Sequence, residues 1–445
     1  MNKAFKELSM ADIAINNNGI VDGPFGSNLK KTDYIDDSQN GIPVLTTKNL
    51  YGDYSSDSVR YISKEKYETL KRSTVFPGDI IVAKIGSIGK CGIYPLDQGL
   101  ALIPANLLKI TVRAEISRKY VFYYIQSRRF QDMIKSISTA TAQPAFNVTK
   151  FRKLPIPVPP LEDQHRIVTR IEELFSQLDS GVETLKKTKE QLKVYRQAVL
   201  KEAFEGRYSS INHFDITSTK ADYDRIRKEN AVFKDVSGDD NELQIELPDD
   251  ALLIRFGNVF DVEVGATPKR SVPEYWNGNI NWVSSGEVKF QSINNTEEMI
   301  TENGLQNSST NVQPIGTVLL AMIGEGKTRG QAAILNIPAA HNQNTAAILV
   351  SKTPCNPKYI YHYLNLSYEN TRRVGSGNNQ KALNKERVRA IRFPFVSFEK
   401  QNIIVKEIES RLSVCDSIEK TIDTALQEAE ALRQSILKQA FEGGL

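Results

Sequence analysis

The chain contains itself twice, and that duplication limits what it can fold into more than any other feature. Residues 154–206 align without a gap on residues 391–443, a shift of 237 positions, and 19 of the 53 aligned positions are identical. Among the identities are Pro157/Pro394, Gln164/Gln401, Asp179/Asp416 and Arg196/Arg433, and both copies close on Ala-Phe-Glu-Gly. Two unrelated amphipathic helices could share an apolar period. They would not share Glu172, Arg196 and Lys201, which lie outside it. An internal repeat of this kind sets the architecture before any local propensity is weighed.

Each copy reads as one long helix reached from an extended strand. In the first copy Pro155, Pro157, Pro159 and Pro160 cannot sit inside a helix but can lead into one, and Gly206 and Gly443 stop the two helices. Apolar residues recur every seven positions at Ile171, Leu178, Leu185, Leu192 and Val199, flanked by Ile167, Leu174 and Tyr195. The second copy repeats this with Ile408, Cys415, Ile422, Ala429 and Ile436, flanked by Ile404, Ile418 and Leu432. The pattern predicts a coiled-coil seam sustained for about five heptads. A helix from Leu161 to Ala203 would be roughly 65 Å long at 1.5 Å per residue, the length of a spacer. Antiparallel pairing would put one globule at each end, related by a pseudo-twofold axis.

The segments before the helices repeat more faintly. Gly41-Ile-Pro-Val corresponds to Asn279-Ile-Asn-Trp, and Pro77-Gly-Asp-Ile-Ile-Val-Ala-Lys corresponds to Ile315-Gly-Thr-Val-Leu-Leu-Ala-Met. Lys119-Tyr-Val-Phe-Tyr-Tyr matches Lys358-Tyr-Ile-Tyr-His-Tyr, and Gln143-Pro-Ala-Phe-Asn matches Gln380-Lys-Ala-Leu-Asn. Short β-rich runs at Ile80 to Ile85 and Val318 to Ile323, with one helix near Tyr120 to Phe130 or Tyr359 to Leu366, make each globule strand-dominated. The expected chain is α+β, with two β-rich globular domains separated by two long antiparallel coiled-coil helices in a pseudo-twofold repeat. Its divisions are a first globule (1–153), a first long helix (154–206), an acidic linker (207–250), a second globule (251–390) and a second long helix (391–445).

The overall charge of +4 hides an uneven distribution. Residues 1–150 carry 20 Lys and Arg against 14 Asp and Glu, residues 209–250 carry 5 against 11, and residues 251–391 carry 14 against 10. Two mildly basic blocks thus flank an acidic segment, a balance compatible with a polyanionic partner. No apolar run is long enough for a membrane span, and Met1 to Met10 lacks the apolar core of a signal peptide, so a cytoplasmic location is expected. The three cysteines, Cys91, Cys355 and Cys415, form no CxxC pair and suggest neither a disulfide framework nor a zinc cage.

Catalytic motifs are incomplete. Gly324-Glu-Gly-Lys-Thr resembles the end of a phosphate loop, but Ala321 stands where the first glycine belongs, so a surface hairpin is expected. Asn356-Pro-Lys-Tyr lacks the second proline of an adenine methyltransferase motif and reads as a turn into a helix. Pro248-Asp-Asp lacks the following ExK of a metal-dependent nuclease, and His165, His213, His341 and His362 offer neither ligand spacing nor a triad. No catalytic residue and no metal ligand is therefore assigned. The stronger candidates are polar loop residues able to pair with base edges or phosphates. In the first globule these are Lys30, Lys31, Thr46, Lys48, Asn49, Lys84, Ser87, Lys90, Gln143 and Asn147. In the second they are Lys269, Arg270, Ser284, Ser285, Lys289, Lys327, Arg329, Asn378, Gln380 and Lys381.

From Asp22-Gly-Pro-Phe-Gly-Ser through both helices, the chain resembles the specificity subunit of type I DNA restriction-modification systems. The residues that carry the resemblance are Ile156-Pro-Val-Pro-Pro-Leu-Glu-Asp-Gln, the helix end Arg196-Gln-Ala-Val-Leu-Lys-Glu-Ala-Phe-Glu-Gly, and their recurrence at Gln401 and Arg433 to Gly443. Gly265-Ala-Thr-Pro-Lys, Glu274-Tyr-Trp and Ile280-Asn-Trp-Val add to it, whereas Phe395-Val-Ser-Phe-Glu-Lys-Gln departs from the family's proline-rich approach to the second helix. The resemblance implies two target recognition domains, each reading half of a split, asymmetric double-stranded DNA sequence. It implies a non-catalytic subunit whose helices dock two methyltransferase subunits, joined by two motor-nuclease subunits. That complex would be an adenine-specific DNA methyltransferase and an ATP-dependent type I deoxyribonuclease, with S-adenosylmethionine, ATP and Mg2+ belonging to the partners and none to this chain. The alternative reading is a coiled-coil scaffold joining two protein-binding domains without DNA binding.

Overall fold

The computed structural model describes residues 6–16, 19–24, 28–36, 39–55, 58–139, 143–211, 215–230, 233, 235–237, 245–324, 326–373 and 383–442. The chain divides into two compact units, Met1–Lys187 with Ile422–Leu445, and Thr188–Thr421. Each unit thus contains one globular block, part of the long helix that follows that block, and part of the other long helix. The helices themselves span Leu161–Phe204 and Phe398–Glu442. Gly206 follows the first with φ +68°, the left-handed conformation that ends a helix without a Cβ penalty.

In the first unit, a four-stranded sheet runs in the order Ile20–Asp22, Leu107–Ile110, Ile80–Ala83, Cys91–Ile93. A five-stranded sheet runs Tyr34–Ile35, Arg60–Ile62, Ile42–Val44, Ala101–Leu102, Thr74–Val75. The stretch expected as one helix near Tyr120 to Phe130 is two, Arg118–Gln126 and Arg128–Ser136, because Ser127 takes an extended conformation and caps the second. Lys6–Ser9 pairs antiparallel with the proline-bearing strand Pro155–Val158. An edge strand accommodates Pro155 and Pro157 because it has a side without ladder hydrogen bonds.

The second unit repeats this plan. Leu252–Arg255 pairs antiparallel with Arg392–Phe395. A five-stranded sheet runs Val262–Val264, Thr345–Ile348, Val318–Ala321, Ala332–Leu335, Gln291–Ile293, and a three-stranded sheet runs Glu298–Ile300, Trp276–Val283, Ala340–His341. Asn356 caps the helix Pro357–Leu366, as its Asn-Pro turn predicted. Gly326 to Gly330 lies in the turn between Val318–Ala321 and Ala332–Leu335, which is the surface hairpin expected in place of a phosphate loop.

The junctions between block and helix match residue for residue. Gln164 donates from Nε2 to the Pro159 carbonyl (2.8 Å) and accepts at Oε1 from the Ser117 N–H (2.8 Å). Gln401 donates to the Val396 carbonyl (2.9 Å) and accepts from the Asn356 N–H (3.0 Å). Tyr120 and Tyr359 donate their hydroxyls to the carbonyls of Pro157 (2.7 Å) and Pro394 (2.6 Å). Both glutamines and both tyrosines are buried, where an unmade hydrogen bond costs about 1–3 kcal/mol, so the repeat retains them as pairs.

The long helices are antiparallel within each unit. In the first, Arg433 in the last third of one helix pairs with Asp179 in the first half of the other, its guanidinium 4.2 Å from the Phe175 ring centroid. In the second, Arg196 pairs with Asp416 (2.6 Å) and Glu419 (3.0 Å), and Lys189 lies 3.6 Å from Glu419. The seven-spaced residues Ile171, Val199, Ile408, Cys415, Ile422 and Ile436 are buried, and Leu178, Leu185, Leu192 and Ala429 half-buried. The flanking stripe holds in part: Ile167 and Ile404 are buried and Leu174 half-buried. Tyr195, Ile418 and Leu432 are 47%, 41% and 52% exposed. The inward places are one residue further on, at Phe175, Val182, Lys189, Arg196 and Ala203, and at Leu412, Glu419, Leu426, Arg433 and Ala440. Charges fill part of this stripe because they pair across it, which fixes register more than it adds stability.

The segment expected as an acidic linker contains a helix, Ile216–Glu229. This helix accounts for the missing prolines before the second long helix. Where Pro160 has no N–H, the aligned Ser397 has one, and it donates to Thr219 Oγ1 (3.1 Å). The next N–H, from Phe398, donates to Asp222 Oδ2 (2.8 Å). Asp250 then takes the buried Lys400 ammonium at 2.6 Å on both carboxylate oxygens. The donor at the helix start that proline would have deleted, and the one after it, are thus satisfied by the linker.

Candidate nucleic-acid interface

Both blocks build the same loop corner. In the first, Lys84 donates its N–H to the Asn106 carbonyl (2.8 Å), and its own carbonyl accepts from the Phe146 N–H (3.3 Å). In the second, Met322 donates to the Asn344 carbonyl (2.8 Å) and accepts from the Leu383 N–H (3.0 Å). These positions are the ones the faint sequence repeat aligns, so the hairpin loop and the segment after the helices meet in each unit. Gly86 N–H also donates to the Pro144 carbonyl (3.0 Å), and Gln131 Nε2 to the Gly89 carbonyl (3.0 Å). The turn Thr47–Tyr51 rests on this hairpin, since a Cβ on Gly92 would lie 2.9 Å from the Leu50 carbonyl oxygen.

This packing gathers Lys48, Ser87, Lys90, Gln143 and Asn147 in one neighbourhood, all exposed. Asn147 also caps the helix Val148–Arg152, accepting from the Thr149 N–H (2.7 Å). Lys30 and Lys31 are exposed but lie apart from this corner, beside the edge strand Tyr34–Ile35. Three residues of the first set are engaged internally. Lys84 is 6% exposed and pairs with Asp22 at 2.7 Å, so its charge cannot reach a phosphate. Asn49 is buried, accepting from the Thr46 N–H (2.5 Å) and donating to the Asp53 carbonyl (2.6 Å). Thr46 is half-buried and caps the same turn, its hydroxyl donating to the Ser58 carbonyl (2.7 Å).

In the second block, Lys269, Lys289 and Lys327 are exposed. Arg270 is not a free cation: both its terminal nitrogens meet Glu298, and its guanidinium stacks 3.9 Å from the Trp276 ring centroid. Ser284 and Ser285 are half-buried around a turn in which the Ser284 N–H donates to Glu287 Oε2 (2.8 Å). Arg329 is half-buried in the hairpin, whose Gly326 carbonyl accepts from Arg372 (2.5 Å) and whose Lys327 carbonyl accepts from Tyr368 (2.5 Å). Asn378, Gln380 and Lys381 lie outside the described residues. The exposed ammonium, hydroxyl and carboxamide groups of the first corner, and the exposed Lys327 ammonium of the second, can donate to phosphate oxygens and to base edges.

Residues 24–194 and 248–428 each match the type I restriction modification DNA specificity domain. The chain belongs to the family of type I restriction-modification specificity subunits. Family members similar to it include the EcoBI specificity subunit of Escherichia coli, 25% identical over 93% of this chain and 82% of that one. The putative MjaX specificity subunit of Methanocaldococcus jannaschii is 23% identical over 91% of this chain and 87% of its own length. The family fold is equally clear in solved structures. A chain from work on complex assembly and conformational transition of the type I R-M system superposes with TM-score 0.70 at 15% identity, covering 100% of this chain and 99% of that one. The HsdS subunit of Thermoanaerobacter tengcongensis gives TM-score 0.54 at 16% identity, with 100% and 98% covered.

Gln164, Gln401, Tyr120 and Tyr359 join the framework of this family member's site, and their recurrence in the repeat is visible in the sequence. Two histidines of the second block, His341 and His362, are buried. His341 shares Nδ1 with Thr345 Oγ1 (2.8 Å), while neither ring nitrogen of His362 has a hydrogen-bond partner among the described residues. Burial pushes each imidazole down to about 4. A depressed histidine contributes stability that is complete above the unfolded value of about 6.5 and is lost as pH falls towards 4. Each is expected to cost up to about 3 kcal/mol at the acid end. His362→Leu should therefore flatten the fall in melting temperature between pH 6.5 and 4. An identical fall in parent and variant would refute this.

Proposed function

We propose that each block reads one half of a split, asymmetric double-stranded DNA target, with the long helices holding the readers and docking two methyltransferase subunits. Two motor-nuclease subunits join that assembly, which methylates adenine and cleaves unmodified DNA with S-adenosylmethionine, ATP and Mg2+ held by the partners. This chain positions the duplex, and extrusion of the adenine falls to the methyltransferase. The assembly acts in the cytoplasm. Among the described residues no helix is long and apolar enough to cross a membrane.

One observation carries this reading: the two blocks share a backbone corner but display different side chains from it. Ser87 and Lys90 are displayed from the hairpin of the first, whereas that of the second presents Lys327 and the half-buried Arg329. Shared scaffold with divergent display is what two half-sites of unlike sequence require, since phosphate contacts position a protein and base contacts specify.

Co-expression with the neighbouring methyltransferase gene product, followed by methylome sequencing, tests the proposal. Methylated adenines in a bipartite motif are expected. Exchange of residues 1–153 for another recognition domain should rewrite one half of that motif and leave the other intact. Alteration of both halves, or methylation without a bipartite motif, would refute independent readers.

A further inference from the structure

The second block holds a display element that packing does not require. Its strand Trp276–Val283 is central in a three-stranded sheet, and Trp276 and Ile280 both face Ile300 across the antiparallel ladder. Residues Asn277, Gly278 and Asn279 are therefore extruded as a bulge. Asn277 has φ +60°, in the left-handed region that asparagine tolerates better than most side chains. Gly278 presses against the neighbouring strand so closely that a Cβ would come within 2.5 Å of the Ile300 carbonyl oxygen. Beside the bulge, Trp276 is held between Arg270 and the edge of Trp282, whose ring centroids are 5.2 Å apart.

The side chains of Asn277 and Asn279 are exposed and take no hydrogen bond from the described residues. Asparagine is depleted in strands, and bulges recur where a strand must re-aim a side chain. A left-handed asparagine and a glycine with no room for a Cβ form a stiff mount, and the mount aims two free carboxamides at solvent. A carboxamide is the group that pairs bidentately with adenine, accepting from N6 and donating to N7 in the major groove.

We propose that Asn277 and Asn279 are base-reading residues of the second block, directed at adenine. The proposal rests on the DNA-reading function above and adds the residues and the base. Among the described residues the first block shows no such element: the aligned Gln39, Asn40 and Gly41 form a turn ahead of the strand Ile42–Val44, which pairs in regular register with Arg60–Ile62. The bulge therefore confers specificity on one half-target alone.

The test uses the purified complex with its methyltransferase subunit, the target defined by methylome sequencing, and duplexes carrying single base-pair changes across both halves. Asn277→Gly combined with Asn279→Ala should weaken binding to the parental duplex roughly 5- to 150-fold. It should also erase discrimination at one or two adenines of one half while the other half is read as before. Asn279→Asp should move preference at one position towards cytosine, whose N4 donates a hydrogen bond, a change that a structural role would not produce. Melting temperatures are recorded for each variant, and if the double variant melts early, Asn279→Asp alone decides. Variants that melt with the parent and discriminate at every position as it does would overturn base reading here, with the proposed function left standing. A wild-type complex that methylates no bipartite target would overturn both.

Discussion

Removal of Thr184 to Lys187 from the first long helix is expected to abolish modification of the parental target. The deletion shortens that helix by about 6 Å and turns everything after it by roughly 40°. The second helix keeps its full length, so the Asp179–Arg433 and Arg196–Asp416 pairs, which hold one common register, can no longer both form. Matched removal of the opposing residues Ala425 to Glu428 restores that register. Modification should then return at a target whose gap is shorter by about one to two base pairs, since 6 Å lies between one and two steps of 3.4 Å. Methylome sequencing reads the gap directly. Modification by the singly shortened chain at the original spacing would show that the helices are not the ruler.

The second large effect follows from where the helices end. Phe441 is buried against Tyr120 (5.2 Å between centroids) and Tyr124 (5.1 Å), more than 300 residues earlier in sequence. Phe204 packs in the same way on Tyr359 (5.0 Å) and Tyr363 (5.6 Å). The last turn of each helix therefore completes the core of the block belonging to the other repeat. Phe441→Ala is expected to destabilise the unit that contains the first block by about 3–5 kcal/mol, the usual cost of truncating a buried aromatic. Phe204→Ala should do the same to the second unit. Native-state hydrogen exchange separates the outcomes: protection should fall around Tyr120 to Ile125 for Phe441→Ala and around Tyr359 to Leu364 for Phe204→Ala. Loss confined to the immediate surroundings of the substituted helix end would refute the exchange of ends.

The apolar stripe of the helices was legible because Ile171, Leu178, Ile408 and Ile422 repeat at a fixed spacing, and burial of one helix face enforces that spacing. Part of the flanking stripe, at Tyr195, Ile418 and Leu432, faces outward for an equally physical reason. Arg196, Glu419 and Arg433 occupy the inward places beside it, and a search for hydrophobic periodicity passes over charges that become inward-facing only when a partner stands opposite. The binding candidates fared unevenly. Lys48, Ser87, Lys90 and Gln143 come together because hairpin and loop are tied by backbone hydrogen bonds. Lys84 and Arg270 are paired cations whose partners, Asp22 and Glu298, lie 62 and 28 residues away, and sequence spacing carries no sign of either pairing.

From the sequence by itself came the duplication, the two long helices, the strand-dominated blocks and the family, all of which rest on local periodicity or on residues repeated at a constant shift. Only the tertiary structure decided which polar groups are available to a ligand, that the linker supplies a helix cap where prolines are missing, and that each helix ends in the core of the other repeat. Those are contacts between distant segments, and their energies depend on burial and geometry that do not exist until the chain has folded.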